Sequence, residues 1–317
     1  MACEFEIVLN AGQHPGGADA AVAALDLVDR LEDQLTVYRD HSEVSQMNRL
    51  AADERVAVES RLFGLLEQAQ QLSAETGGAF DITSGPLSKV WGFYRRQGQM
   101  PSQADVVQAL AAVGSVALEL NAAERTVHFQ RPNMEINLGA IGKGYALDRS
   151  GDLLLSEGVP DFLLHGGHSS VLASGSRLRD APVDSAAREE TGWTVGLRHP
   201  LKPSQRLAEF RLVDRALGTS GSGSQYFHHA GKRYGHILDP RTGWPADGVL
   251  SSTVIAPTAA EADALATALY VMGLEQARDF CSRHAEIAAL LVTQGARAGA
   301  IELHPLNLPD DEWRRLE

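Results

Sequence analysis

The sequence predicts an α+β fold of mixed and antiparallel sheets with packed helices, and three observations carry that prediction. Apolar residues recur at helical spacing in several stretches, most clearly Val22, Leu25, Val28, Leu31 and Leu35. Short alternating or apolar runs, such as Glu4 to Leu9 and Val249 to Ala256, read as strands between them. The two kinds of segment alternate in βα and ββ order with no internal repeat or low-complexity linker, so residues 1–317 read as a single unit.

Composition narrows the function. The 317 residues are 44% hydrophobic, enough to bury a core, and carry a formal net charge of −13. That balance argues against a nucleic-acid or anionic-membrane surface, since both need a basic footprint. An anionic ligand would need local help from a cation, a few placed Lys or Arg, or helix N-termini. Cys3 and Cys281 make neither a disulfide framework nor a zinc site, and the 11 histidines show no HExxH spacing. No apolar run approaches the roughly 18 residues of a membrane span. Met1 to Asn10 lacks the basic-then-apolar pattern of an export signal, so the chain as written is expected in the cytoplasm.

The strand Glu4 to Leu9 leads into a helix over Ala18 to Leu35. Tyr38 to Asn48 reads as a polar loop, suited to ligand capture or to capping and turns. A second amphipathic helix, Arg61 to Thr76, ends at Gly77-Gly78. The stretches Ala79 to Leu87 and Trp91 to Phe93 form a loop so apolar that it must pack on the core or on a planar ligand. A short helix over Ser102 to Ala112 and a hairpin of Val116 to Leu120 with Thr126 to Phe129 follow.

Met134 to Leu138 reads as a strand entering Gly139-Ala140-Ile141-Gly142-Lys143-Gly144, and a helix runs from Tyr145 to Leu155. Such a junction offers backbone N–H groups, a positive dipole end and one cation to a phosphate, or is a tight turn needing small residues. It matches neither the Walker loop nor the dinucleotide GxGxxG. Strands at Phe162 to Leu164 and Val171 to Ala173 flank a glycine turn, and the charged stretch 175–192 reads as an exposed inserted loop.

Strands resume at Trp193 to Arg198, Leu207 to Val213 and Ala216 to Thr219, followed by a flexible turn over Ser220 to Ser224. A hairpin of Gln225 to His229 and Arg233 to Leu238 places His236 and Asp239 about a strand end, where catalytic groups are commonly displayed and where a structural His is also common.

After the strand Val249 to Ala256, Thr258 and Glu261 form a capping-box pattern that starts a helix, which Gly273 stops. Asp263 and Thr267, four residues apart, lie on one face among alanines. Two hard oxygens facing one point suit Mg²⁺ with open positions for water and phosphate. An ordinary buried helix, its Thr bonded back to the preceding turn, has the same pattern. A helix over Leu274 to His284, strands over Ile287 to Thr293 and Ala298 to His304, and a polar tail complete the chain.

Four blocks, Gly78 to Leu87, Leu138 to Asp148, His236 to Gly243 and Asp263 to Ala268, together resemble the FAD:protein FMN transferase family (ApbE-like), in the family's order and over most of the chain. The resemblance implies a fold related to the T-fold. It implies an enzyme that uses Mg²⁺ to split FAD at its pyrophosphate, passes FMN to a Thr or Ser hydroxyl of an acceptor protein, and releases AMP. It places the metal on Asp263, Thr267 and the carbonyl of Ala140. Flavin nucleotide contacts fall on Met1, Tyr38, Ala79, Phe80, Asp81, Asn137, Lys143 and Ile237. His236 is the candidate base, with Asp263 the second catalytic residue. Within the blocks, Asn137 stands where the family usually carries Asp. The family's first Met normally follows an export signal, so a start upstream of Met1 would mean export. An FAD pyrophosphatase and a flavin carrier without turnover are the alternative readings.

Overall fold

A computed structural model of the chain describes residues 3–177, 192–221, 223, 225–297 and 299–316. The predicted loop at 175–192 falls mostly on residues outside these, and the predicted nucleotide contact Met1 also lies outside them. In chain order the first half comprises β1 (Phe5–Leu9), α1 (Gly17–Leu35), α2 (Glu43–Leu50), β2 (Val56–Ala57), α3 (Ser60–Glu75), α4 (Gly85–Val90), α5 (Gln103–Leu110), β3 (Leu118–Asn121), β4 (Thr126–Phe129) and α6 (Gly142–Ser156). The second half comprises β5 (Phe162–Gly166), β6 (Ser170–Ser174), β7 (Trp193–His199), β8 (Lys202–Leu212), β9 (Arg215–Gly221), β10 (Tyr226–His229), β11 (Lys232–Gly235), β12 (Val249–Ala256), α7 (Ala259–Arg283), β13 (Ala288–Gln294), β14 (Ile301–Leu306) and β15 (Trp313–Arg315). The class is α+β, as the patterning predicts.

Three layers position the site. The middle one is a seven-stranded antiparallel sheet ordered β1-β5-β6-β9-β12-β13-β14. One face carries α6 and α7. The other packs Leu163, Val171, Leu217 and Leu290 against Trp193, Val195, Leu197 and Phe210 of the sheet β15-β8-β7. Two glycines let the helices come this close. A Cβ on Gly218 of β9 would lie 2.4 Å from the Ala262 carbonyl oxygen of α7, nearer than any real Cβ contact. Gly144 of α6 meets α7 in the same way.

Several expectations are corrected. Tyr38 to Asn48 is not all loop: Ser42 accepts the Ser45 N–H and starts α2, so the loop stops at His41. Met134 to Leu138 forms no strand. It is extended, but Ile136 spends its backbone groups on the Asn48 side chain (2.7 and 2.9 Å) and Asn137 donates to Ile82 (2.7 Å). Ser220 and Gly221 belong to β9, and His236 lies beyond the end of β11. The polar tail holds β15, paired with β8. The helix stop expected at Gly273 is present, by contrast: its backbone is non-helical (φ 75, ψ 175), and Ala259–Arg283, here α7, is two helices joined at that kink.

The apolar loop packs on the core: Phe80, Ile82, Leu87 and Trp91 are buried. Trp91 donates from Nε1 to the Gly243 carbonyl (2.8 Å) and stacks on Tyr234 and Phe227, so the β10–β11 hairpin hangs on it. No helix among the described residues is long and apolar enough to cross a membrane.

Candidate active site

α7 brings Asp263 to the floor of a cleft of about 420 Å³. The carboxylate is 6% exposed. Its Oδ1 accepts from Ser170 Oγ on β6 (2.6 Å), its Oδ2 accepts from the Gly144 N–H (2.8 Å), and Lys143 Nζ stands 3.7 Å from Oδ2. Burial pushes its pKa above the usual carboxylate value, against the pull of Lys143, Ser170 and Gly144. One turn on, Thr267 lines the same cleft, with Oγ1 2.9 Å from Ser220 Oγ.

The glycine junction forms the adjoining wall. The Gly142 N–H closes on the Leu138 carbonyl (2.7 Å), and α6 begins there, so Lys143 sits in the first helical turn, where the dipole adds to its charge. Asn137 Oδ1 accepts the Gly139 N–H (2.9 Å), fixing the turn that holds Ala140 at the cleft.

The remaining predicted contacts converge there too. Tyr38, Ala79, Phe80, Asp81, Ile237 and His236 all line the cleft. Tyr38 is 65% exposed at its mouth, its ring tilted on Tyr94 at 4.8 Å. The Asp81 carboxylate is already engaged: Oδ1 accepts from the Thr83 N–H and Oγ1 and from Ser115 Oγ, and Oδ2 from the Ser115 N–H. It therefore ties the Asp81–Thr83 turn to Ser115.

His236 is half-buried, with Nδ1 3.1 Å from the Gln225 carbonyl oxygen. A carbonyl only accepts, so Nδ1 carries the proton and Nε2 keeps its lone pair. Burial holds the imidazole below its usual pKa, and Lys143 pushes the same way. Asp239 is not beside it. Its carboxylate accepts from the Arg241 backbone and guanidinium, each at 2.9 Å.

The donor chemistry fits a hard dication. Asp263, Thr267 and Ala140 line one cleft, and a dication would stabilise the Asp263 charge that burial disfavours. Among the described residues no group of three or more His, Cys, Asp or Glu could hold a metal, so a site here would draw on neutral oxygens beside Asp263.

Sequence reasoning missed three participants. Ser170 reaches Asp263 from 93 positions away and Ser220 meets Thr267 across 47, so no local spacing marks either. Asp148 accepts from the Ala259 and Ala260 N–H groups (2.7 and 2.9 Å), capping α7 from α6; its place one turn after Gly144 was the available signal.

Comparison with known proteins agrees with this geometry. The model of the ApbE family matches residues 1–291. Proteins named FAD:protein FMN transferase are similar over most of their length. That of Klebsiella pneumoniae is 33% identical over 281 residues, 87% of this chain and 83% of that protein. That of Treponema pallidum is 32% identical over 281 residues, 86% and 77% respectively. The crystal structure of the Pseudomonas stutzeri flavinyl transferase ApbE, apo form, superposes with a TM-score of 0.81 at 27% identity, covering 95% of this chain and 90% of that one. The ApbE protein of Thermotoga maritima gives 0.80 at 29% identity, covering 94% and 96%. With its cleft assembled from the same four blocks that suggested the family, the chain belongs to the ApbE family.

Proposed function

We propose that this protein is a Mg²⁺-dependent FAD:protein FMN transferase that passes FMN to a Thr or Ser hydroxyl of an acceptor protein and releases AMP. The observation that carries this reading is the convergence on one cleft of Lys143, Asp263, Thr267 and His236, drawn from three separate parts of the chain. The core that gathers them draws residues from Ala20 to Leu291, which supports taking residues 1–317 as one functional unit.

Asp263, Thr267 and the Ala140 carbonyl would hold Mg²⁺, which would supply charge neutralisation on the pyrophosphate. Lys143, in the first turn of α6, binds the phosphate oxygens and stabilises the departing AMP. His236 Nε2 takes the proton of the acceptor hydroxyl as its oxygen bonds to the FMN phosphorus and the bond to the AMP phosphate breaks. Tyr38 offers its ring to the nucleotide at the mouth of the cleft, and Phe80, buried in the core, backs the inner wall.

The test is incubation with FAD and Mg²⁺, with and without a candidate acceptor, measuring AMP and protein-bound flavin. AMP released only with acceptor, together with covalent flavin, supports transfer. AMP without acceptor indicates a pyrophosphatase, and bound FAD with no AMP a carrier. Asp263→Ala should remove the Mg²⁺-dependent release, helix α7 tolerating Ala well.

A further inference from the structure

Among the described residues β7 is an edge strand, paired with β8 on one side only. The ladder shows which of its backbone groups face outward. Arg211 of β8 donates its N–H to Glu312 (2.8 Å) and Leu207 accepts from the Leu316 N–H (2.9 Å), so Leu207, Glu209 and Arg211 turn their backbone groups towards the β15 side. Their partners across the β7–β8 ladder therefore sit in pairs that exchange no hydrogen bond. Thr194, opposite Arg211, and Gly196, opposite Glu209, aim N–H and C=O at the free edge. Both are exposed, and no backbone group among the described residues pairs with either there.

That edge borders a groove of about 930 Å³. Six successive β7 residues, Thr194 to His199, line it, whereas a strand turning one face to a cavity would contribute alternate residues. Thr219 and Gly221 of β9 line this groove and the catalytic cleft as well, so the end of β9 borders both spaces. Arg198, Arg206, His165, His168 and His199 line the groove, and among the described residues no carboxylate does, in a chain of net charge −13.

We propose that the free edge of β7 is the docking strand for the acceptor protein. An extended acceptor segment adds to the sheet through the Thr194 and Gly196 backbone groups and delivers its hydroxyl residue into the cleft at the Thr219 end. Acidic residues flanking that hydroxyl match the Arg198 side of the groove. The nature of the occupant rests on the flavin-transfer reading; the open edge does not.

The test uses Thr194→Pro and Gly196→Pro in the full-length protein. Proline is tolerated on an edge strand where the lost N–H faces outward, so both variants should melt with the parent. FAD-loaded parent and variants are titrated with a fluorescein-labelled synthetic peptide carrying one Thr among Ser, Ala and Asp, followed by anisotropy, with FAD uptake read by flavin fluorescence. Saturable binding to the parent, weakened about tenfold or more in each variant with FAD uptake unchanged, is the expected result. A parent that takes up FAD but not the peptide overturns the inference, as do variants that bind the peptide like the parent. A parent dimer on sedimentation that the proline variants dissolve also overturns it, because the edge then pairs two copies. Peptide binding without FAD uptake would instead remove the flavin reading and leave the edge a docking strand.

Discussion

Gly144 lies so close to Ala259 that a Cβ at position 144 would stand 1.9 Å from the Ala259 carbonyl oxygen. The same two helices are laced in both directions, the Gly144 N–H to Asp263 and the Ala259 and Ala260 N–H groups to Asp148. The contact thus sets the spacing between the start of α6, with Lys143, and the Asp263 carboxylate opposite it. Gly144→Ala should force the helices apart, costing about 1–3 kcal/mol of stability and most of the FAD turnover. Gly64→Ala, on a helix face with nothing within 4 Å, is the control and should not destabilise. Thermal melts and AMP release on both variants check this.

Lys143→Ala should weaken FAD binding or turnover on the order of ten- to a hundredfold, the worth of a charge-assisted hydrogen bond of roughly 1.5–3 kcal/mol. It also leaves Asp263 without the nearby cation that favours its ionised form. Lys143→Arg should rescue only in part, the planar fork fitting poorly where a compact ammonium lies between Gly142 and Gly144. Turnover of Lys143→Ala equal to the parent's would remove Lys143 from the phosphate site.

His236→Gln should retain FAD binding while losing transfer to the acceptor hydroxyl. Because burial holds the imidazole below its ordinary value of 6.5, it stays neutral and able to take a proton further into acid than an exposed His. The acid limb of the pH–rate profile should accordingly fall below 6.5 in the parent and disappear in the variant.

Asp148 supplies a pH dependence of stability whose sign can be worked out. Burial pushes its pKa from 3.8 up to about 7, even though two backbone N–H groups pull the other way. The folded protein therefore keeps a proton that the unfolded chain releases. The stability from this group is fully present below 3.8 and declines as pH rises through about 7. Asp148→Asn removes the titration, so its melting temperature should gain on the parent's as pH rises across that interval. Parallel curves for the two proteins would count against Asp148 as the source.

Local chemistry made much of the site readable. The four-residue step from Asp263 to Thr267 and the run of small residues about Lys143 are properties of one helix face and one helix start, and both are as the sequence implies. Ser170 and Ser220 were not readable because strand register, not spacing, brings them to α7. The failures of element assignment have a similar cause. Met134 to Leu138 has strand-like composition, but the Asn48 side chain occupies the Ile136 hydrogen bonds a neighbouring strand would have used. Residues of β15 carry no apolar alternation and pair only because β8 presents an open edge to them.

The β10–β11 hairpin behaves as a lever whose fulcrum is Trp91. Its inward rings, Phe227 and Tyr234, bear on that indole, and Gln225 and His236 sit at the two ends where the hairpin rejoins the chain. On the outward side Tyr226 meets the His228 ring edge-on and lies under the Arg233 guanidinium. Sequence drift on the outer face should then be mechanically silent, whereas a smaller residue at Trp91 would tilt the arm and carry His236 with it. The His236 imidazole is thus held in place by an aromatic bearing that is itself wholly buried.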